Sequence, residues 1–180
     1  MALLHDATLV PSKRELIAAW LPSQPWATGL PDLKPVGGYR FDDPAGEVGI
    51  EGIVLRDAAG SVTVHVPLTY RGAPLDGAEA HLVGTMEHSV LGSRWVYDGP
   101  ADPVFVAAAT EAIATGAAGA EQYLEQDGTK VVLEPKVTVV GSGVGGGALH
   151  VVRVVGEPVD AEAVLTGTWA GGSGVLAALI

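Results

Sequence analysis

Between Ser61 and Arg71 the chain alternates as a half-buried strand does. Val62, Val64, Val66, Leu68 and Tyr70 fall on one side, and Thr63, His65, Pro67 and Thr69 on the other. Pro67 cannot donate to a ladder, so an edge or a bulge is expected there. Upstream, Glu47 to Asp57 is apolar but changes phase near Gly52, which predicts a bulge. The link Asp57-Ala58-Ala59-Gly60 has the length of a hairpin turn. Tyr39 to Asp43 reads as a further strand, and Pro31 to Gly38, with Pro35 and Gly37-Gly38 as breakers, reads as loop. Glu79 to Val90 and Ser93 to Tyr97 form a hairpin around Leu91-Gly92.

Helical periodicity marks two segments. Ser12 with Glu15 has the form of a capping box, and Leu16, Ile17, Trp20 and Leu21 then share one face until Pro22 stops the helix. Trp26, in a Pro-flanked loop, is expected to fold back as a lid on the same core. Asp102 suits an N-cap and Pro103 the first helical position; the helix runs to Thr115, with Gly116 as its stop. Val104, Phe105, Ala108, Ala112 and Ile113 point inward. Beyond the Gly/Ala-rich link 116–120, Ala120 to Gln126 reads as a short helix. Thr129 to Val140, Ala148 to Gly156, Ala163 to Ala170 and Val175 to Leu179 read as strands. Val151, Val152, Val154 and Val155 are apolar on both faces, as in a central, covered strand.

These elements predict an α+β fold: a curved antiparallel sheet packed on one main helix, with a β-rich C-terminal extension. The 180 residues suffice for a proper core. There is no cysteine, so thiolate and disulfide chemistry are excluded. Twenty-one acids against 10 Lys plus Arg give a net charge of −11. Such a surface repels phosphate backbones and anionic lipid heads, so neither nucleic acid nor membrane is an expected partner. The start, MALLHDATLVPSKRE, lacks the basic and apolar regions of a secretory signal, and the expected location is cytoplasmic.

Candidate chemistry is sparse. Gly141 to Gly147, GSGVGGG, lies between two strands as a phosphate-covering loop would, but no Lys-Ser or Lys-Thr follows it, and the next strand offers only Arg153. A flexible hairpin turn accounts for it better. The five histidines lack metal-ligand spacing. Ser89 and Ser93 near His88 have no nucleophile elbow around them. Asp42-Asp43 and Glu47 invite a carboxylate-pair reading, yet neighbours on a strand face opposite ways, and a polar turn explains them better. Of the four tryptophans, Trp20 belongs to the core, Trp95 is ambiguous, and Trp26 and Trp169 are expected to be partly exposed. No cofactor and no catalytic or metal-binding residues are assigned.

Three stretches carry a family resemblance. They are Trp20-Leu21-Pro22-Ser23-Gln24-Pro25-Trp26 at a helix end, Val66-Pro67-Leu68 in a strand, and Tyr97-Asp98-Gly99-Pro100-Ala101-Asp102-Pro103-Val104-Phe105 at a helix start. In this order the chain resembles, over about residues 12–116, the N-terminal cap domain of actinobacterial maltokinases. The resemblance implies a cystatin-like arrangement in residues 1–118. Residues 119–180 are then a β-rich extension packed on it, an N-lobe-like remnant without the kinase lobes. It also implies a link to trehalose, maltose and α-glucan metabolism. No catalytic residue of the family carries over.

Two functional classes follow. The first is a non-catalytic interaction or regulatory module that binds a kinase or glucan enzyme, or itself. Its candidate surface is the polar face of Ser61 to Arg71 and its rim: His65, Thr69, Trp95 and Tyr97. The alternative is a small-molecule binding module with a sheet–helix pocket, taking a sugar through Trp95 and Tyr97 or a nucleotide at Gly141 to Gly147. An enzyme with an unrecognised site in that pocket is the third and weakest reading, because no nucleophile is paired with a base.

Overall fold

The computed structural model describes residues 2–4, 7–126 and 129–180. Helix α1 (Lys13–Trp20) starts from the expected capping box. Ser12 Oγ accepts from Glu15 N at 3.3 Å, and Ser12 N donates to Glu15 Oε2 at 2.8 Å. Helix α2 (Pro103–Thr115) is capped by Asp102, whose carboxylate accepts from Val104 N at 3.0 Å, and ends at Gly116 with φ of +73°.

A six-stranded antiparallel sheet forms the centre. Its strands are β2 (Leu9–Val10), β3 (Leu33–Phe41), β4 (Gly49–Asp57), β5 (Thr63–Arg71), β6 (Leu82–His88) and β7 (Gly92–Asp98), in the order β2-β6-β7-β5-β4-β3. The remaining strands are β1 (Ala2–Leu4), β8 (Gln122–Gln126), β9 (Thr129–Leu133), β10 (Val137–Gly141), β11 (Leu149–Val151), β12 (Val164–Trp169) and β13 (Gly172–Leu179). Four of them make an antiparallel sheet β10-β12-β13-β11, and three make β1-β8-β9, with β1 parallel to β8. The fold is α+β, with a strongly curled antiparallel sheet and further β-structure toward the C-terminus. No helix of the described residues is long and apolar enough to cross a membrane.

Both faces of the central sheet are covered. On one, Ile53, Leu55, Val64, Val66 and Leu68 pack with Leu16, Ile17 and Trp20 of α1. Trp26 closes that core as the lid expected of it, its ring 6.0 Å from Trp20 in an edge-on arrangement. On the other, Tyr39, Phe41, Ile50 and Val54 meet Phe105, Ala109 and Ile113 of α2 together with Val137, Leu165 and Leu176 of the four-stranded sheet. Helix α2 thus lies between the two sheets. Each large apolar side chain buried there contributes roughly 1.5–3 kcal/mol.

The structure departs from the sequence expectations at several points. Strand β3 begins at Leu33, inside the expected loop, because a register shift between Pro35 and Gly37 absorbs the missing N–H. At Gly52 the ladders stay in register; the glycine makes room for the Tyr39 ring, which a Cβ would meet at 2.2 Å. Gln122–Gln126 is a strand and not a helix, since it pairs on both sides with β1 and β9. The expected strand 129–140 is two, broken around Pro135. The segment 148–156 is strand only at Leu149–Val151, and β11 is an edge; Val154 instead bridges to Val64 of β5. Trp169 is buried in the core, not partly exposed.

Pro67 marks a change of partner along β5. Residues Leu68–Arg71 pair with β7. Toward the other end, His65 N donates to Arg153 O at 2.9 Å and Val155 N to Thr63 O at 2.8 Å. Residues 63, 65, 67 and 69 turn their backbone groups to this same side. The residue without an N–H therefore sits between the two partners.

Candidate functional site

At the end of the central sheet where β3, β5 and β6 finish and β4 and β7 begin, the strands surround a cleft of about 580 Å³. Its size is within the range of small-molecule sites. The β3–β4 connection forms one lip. Asp43 holds it in shape: Oδ1 accepts from Ala45 N, and Oδ2 accepts from Glu47 N and Val48 N at 2.9 Å each. Burial works to raise the Asp43 pKa, but these three backbone donors outweigh it and the net shift is downward. Asp42 and Glu47, both exposed, stand on the same lip.

The opposite wall is cationic. Lys13 at the start of α1, Arg40 near the end of β3 and Arg94 on β7 line it, with Tyr70 from β5. Behind them Glu51 is the common partner. Its Oε2 accepts from Lys13 Nζ at 2.5 Å and from Tyr70 OH at 2.8 Å, and Arg40 Nη2 lies 3.4 Å away. Burial tends to raise the Glu51 pKa; Arg40 and Lys13 reverse this and hold the carboxyl below its ordinary value. Burial, reinforced by the Glu51 charge, pushes the Tyr70 hydroxyl well above its ordinary value, so it stays a donor. Arg94 Nη2 donates to Leu91 O. The Nε–H groups of Arg40 and Arg94 are buried without a protein acceptor. Leu9, Phe41, Ile50 and Met86 supply the apolar part of the lining.

Sequence reasoning weighed Asp42, Asp43 and Glu47 as a carboxylate pair and missed the cationic wall. A signal was present: Glu51 is in phase with Ile53 and Leu55, on the strand face that carries the core. An acid on that stripe requires partners, and Arg40 lies directly opposite it in register.

The four residues singled out as an interaction surface lie elsewhere. His65, Thr69 and Tyr97 are buried, and Trp95 is half-buried on β7. The polar face of β5 is covered, because α2 and the four-stranded sheet pack over it, so these residues do not make an exposed rim. His65 Nδ1 lies 3.0 Å from Leu176 O, which can only accept, so Nδ1 carries the proton and Nε2 accepts from Tyr39 OH at 3.0 Å. Burial, aided by the charge of Arg153, pushes the His65 pKa down to about 3. Thr69 Oγ1 donates to Asp102 Oδ2 at 2.7 Å, and Tyr97 OH accepts from Leu75 N at 2.9 Å. Tyr97 is thus closed to a sugar. In the Gly141–Gly147 turn, a Cβ on Gly141 would lie 1.8 Å from Ala112 O and one on Gly147 2.8 Å from Ile180. Those glycines serve close packing against α2 and the chain end.

Asp98, from the Tyr97-Asp98 pair, is also interior. Arg153 Nη2 donates to its Oδ2 at 2.5 Å, and the same guanidinium stacks 4.9 Å above the Trp26 ring. Residues 153–155 are thereby tied to the Trp20–Trp26 turn and to β7 at once.

Residues 20–102 match the family model described as the maltokinase N-terminal cap domain. This segment is similar to that cap. It runs from the last residue of α1 to the N-cap of α2 and contains five of the six central strands, together with the Trp20–Trp26 turn, Pro67 and the Asp98 and Asp102 carboxylates. Most of the cleft lining belongs to the cap-related segment, while Ala7, Leu9 and Lys13 come from before it. No curated protein matches the chain.

Proposed function

We propose that the chain is a non-catalytic interaction or regulatory module in maltose, trehalose or α-glucan metabolism, and that it works by docking on a protein partner such as a kinase or a glucan enzyme. The observation that carries this reading is the match of residues 20–102 to a domain described as a maltokinase cap. The surface beside the cleft supports it. Val10, Val90 and Leu91 are 63%, 56% and 45% exposed at the end of β2 and the β6–β7 turn, which pair through Leu9 and His88. Exposed apolar side chains grouped in this way favour contact with another surface. The test is affinity capture from native cells after cross-linking, with mass-spectrometric identification. A sugar kinase or α-glucan-processing enzyme is expected, and its recovery falls when Leu91 is changed to Arg. Recovery of the free monomer alone refutes the reading.

The cleft favours a second reading, a small-molecule binding module in which the cap-related segment holds the ligand. A partly apolar cleft with polar groups converging from two sides is the usual form of such a site.

A further inference from the structure

We infer that strand β9 is a self-association surface, along which two copies of the chain join edge to edge, antiparallel, in a register centred on Val132. None of the residues involved belongs to the cleft lining or to the Val10–Val90–Leu91 rim, so the inference goes beyond the docking reading above. The first argument is the state of the sheet edges. An edge strand presents unpaired N–H and C=O groups, and folded chains cover or blunt them. Here the longer edges are covered from within. Ala120 N donates to Arg40 O at 2.7 Å beside β3, and Gly119 N donates to Val139 O at 3.1 Å beside β10. The edges β1, β2 and β11 have only two or three residues each. Strand β9 has five, and among the described residues no strand pairs with its outer side. Neither core reaches it: no described side chain of the sheet β1-β8-β9 belongs to either apolar cluster. Val131 and Val132 are both exposed, Val132 at 54%. A small sheet with no layer packed on it gains by adding strands.

The second argument is the charge pattern, which says what covers this edge. Residues two apart share a face of a strand, so Lys130, Val132 and, directly after β9, Glu134 line up together. Antiparallel pairing about Val132 sets each Lys130 opposite the partner's Glu134, and Val132 against the partner's Val132. The order cation, apolar, anion is its own complement in this register. Centring on Val131 instead would set Lys130 opposite the partner's Val132 and lose both ion pairs. Tyr123 of β8 lies opposite Val132. An apolar row would therefore cross four strands, from Tyr123 to the partner's Tyr123. Within its own chain Lys130 meets Glu121 at 3.6 Å, and an ammonium with three donors can serve a second acid. Pro135 has no N–H and ends the pairing just after Glu134. The net charge of −11 repels a second copy at a distance, so the contact is short-range and the dimer weak.

The test is analytical ultracentrifugation of the full chain over a wide concentration range, with amide hydrogen exchange read in parallel. One chain weighs 18.3 kDa. The mass is expected to rise toward twice that value with concentration, and the amides of residues 129–134 to exchange more slowly as it does. Val132→Lys, at an exposed position where folding is not at risk, sets two ammonium groups against each other across the axis and should abolish the dimer. Glu134→Lys and Lys130→Glu each turn both ion pairs into repulsions, and each alone should weaken association about tenfold. Mixing these two variants should restore it, because every cross-strand pair is then of opposite charge. A single 18.3-kDa species up to millimolar concentration overturns the inference. A dimer indifferent to Val132→Lys overturns it as well, and a mixture no stronger than its parts overturns the register.

Discussion

Replacing Asp102 tests how the cap-related segment is joined to α2. Its side chain is wholly buried and makes four hydrogen bonds. Oδ2 accepts from Arg71 Nε and Thr69 Oγ1, each at 2.7 Å, and Oδ1 accepts from Arg71 Nη2 at 2.7 Å and Val104 N at 3.0 Å. Asp102→Ala removes the helix cap, worth about 1 kcal/mol. It also leaves a guanidinium without its carboxylate; Arg71 is 20% exposed, so this falls at the lower end of the roughly 3–5 kcal/mol for breaking a buried pair. The Thr69 hydroxyl loses its acceptor for about 1 kcal/mol more. Because these losses share one group they do not simply add, and a total of about 4 kcal/mol is expected. In a chain of 180 residues that lowers the thermal midpoint by about 10 °C.

Asp102→Asn retains an oxygen for the cap while removing the charge, so its loss should be smaller by about 1 kcal/mol. The pH dependence has a definite sign. Burial acts to raise the Asp102 pKa, but the bonds from Arg71 and Thr69 bring the net shift below its ordinary value. A carboxyl with a depressed folded pKa contributes fully above its unfolded value near 4 and loses that contribution as pH falls through the folded value. The gap between wild type and Asp102→Ala should therefore be flat from pH 5 to 8 and close below pH 4. Urea unfolding at several pH values measures it. A loss under about 1 kcal/mol at pH 7, or a gap that widens in acid, would refute this account.

Two further substitutions probe the contact between the sheets. His65 is buried and neutral with a pKa of about 3, so the unfolded chain binds a proton that the folded chain does not. This contribution is complete above pH 6.5 and is lost at about 1.4 kcal/mol per pH unit on the way down to 3, which urea titrations of wild type against His65→Asn should reveal. Gly141→Ala places a Cβ against the Ala112 carbonyl, which is backbone and cannot swing aside, so a loss of about 3 kcal/mol in chemical denaturation is expected.

The parts of the fold readable from sequence were those governed by local rules. The capping box at Ser12, the Asp102-Pro103 helix start and the alternation of β5 each depend on residues close in the chain, and each is found as expected. The misreadings arose where distant pairing overrides local preference. Gln122–Gln126 has helix-forming residues, yet two neighbouring strands claim it. His65 and Thr69 looked like a wet face because they alternate with the apolar residues Val64, Val66, Leu68 and Tyr70. Their actual neighbours, Leu176, Tyr39 and Asp102, come from 26 to 111 residues away. The cleft was hidden for the same reason. Lys13, Arg40 and Arg94 are far apart in the chain and converge only when α1, β3 and β7 are in place.

The change of partner at Pro67 explains why the two ends of the central sheet differ. At one end, residues 153–155 fill the side of β5 that β7 leaves open, and Arg153 fastens them to Asp98 and Trp26. Arg56 donates to Gly171 O there, so the C-terminal sheet closes that end as well. At the other end β7 stays with β5 through Arg71, and the β6–β7 turn extends beyond it. None of the described residues in 119–180 lines the cleft. The C-terminal residues therefore seal the far end of the cap-related segment and leave the cleft and the Val10–Val90–Leu91 rim facing outward together. Leu91 belongs to both. A partner seated on the rim would stand at the mouth of the cleft. Ligand and partner would then be linked through that one side chain, each altering the affinity of the other by the same factor.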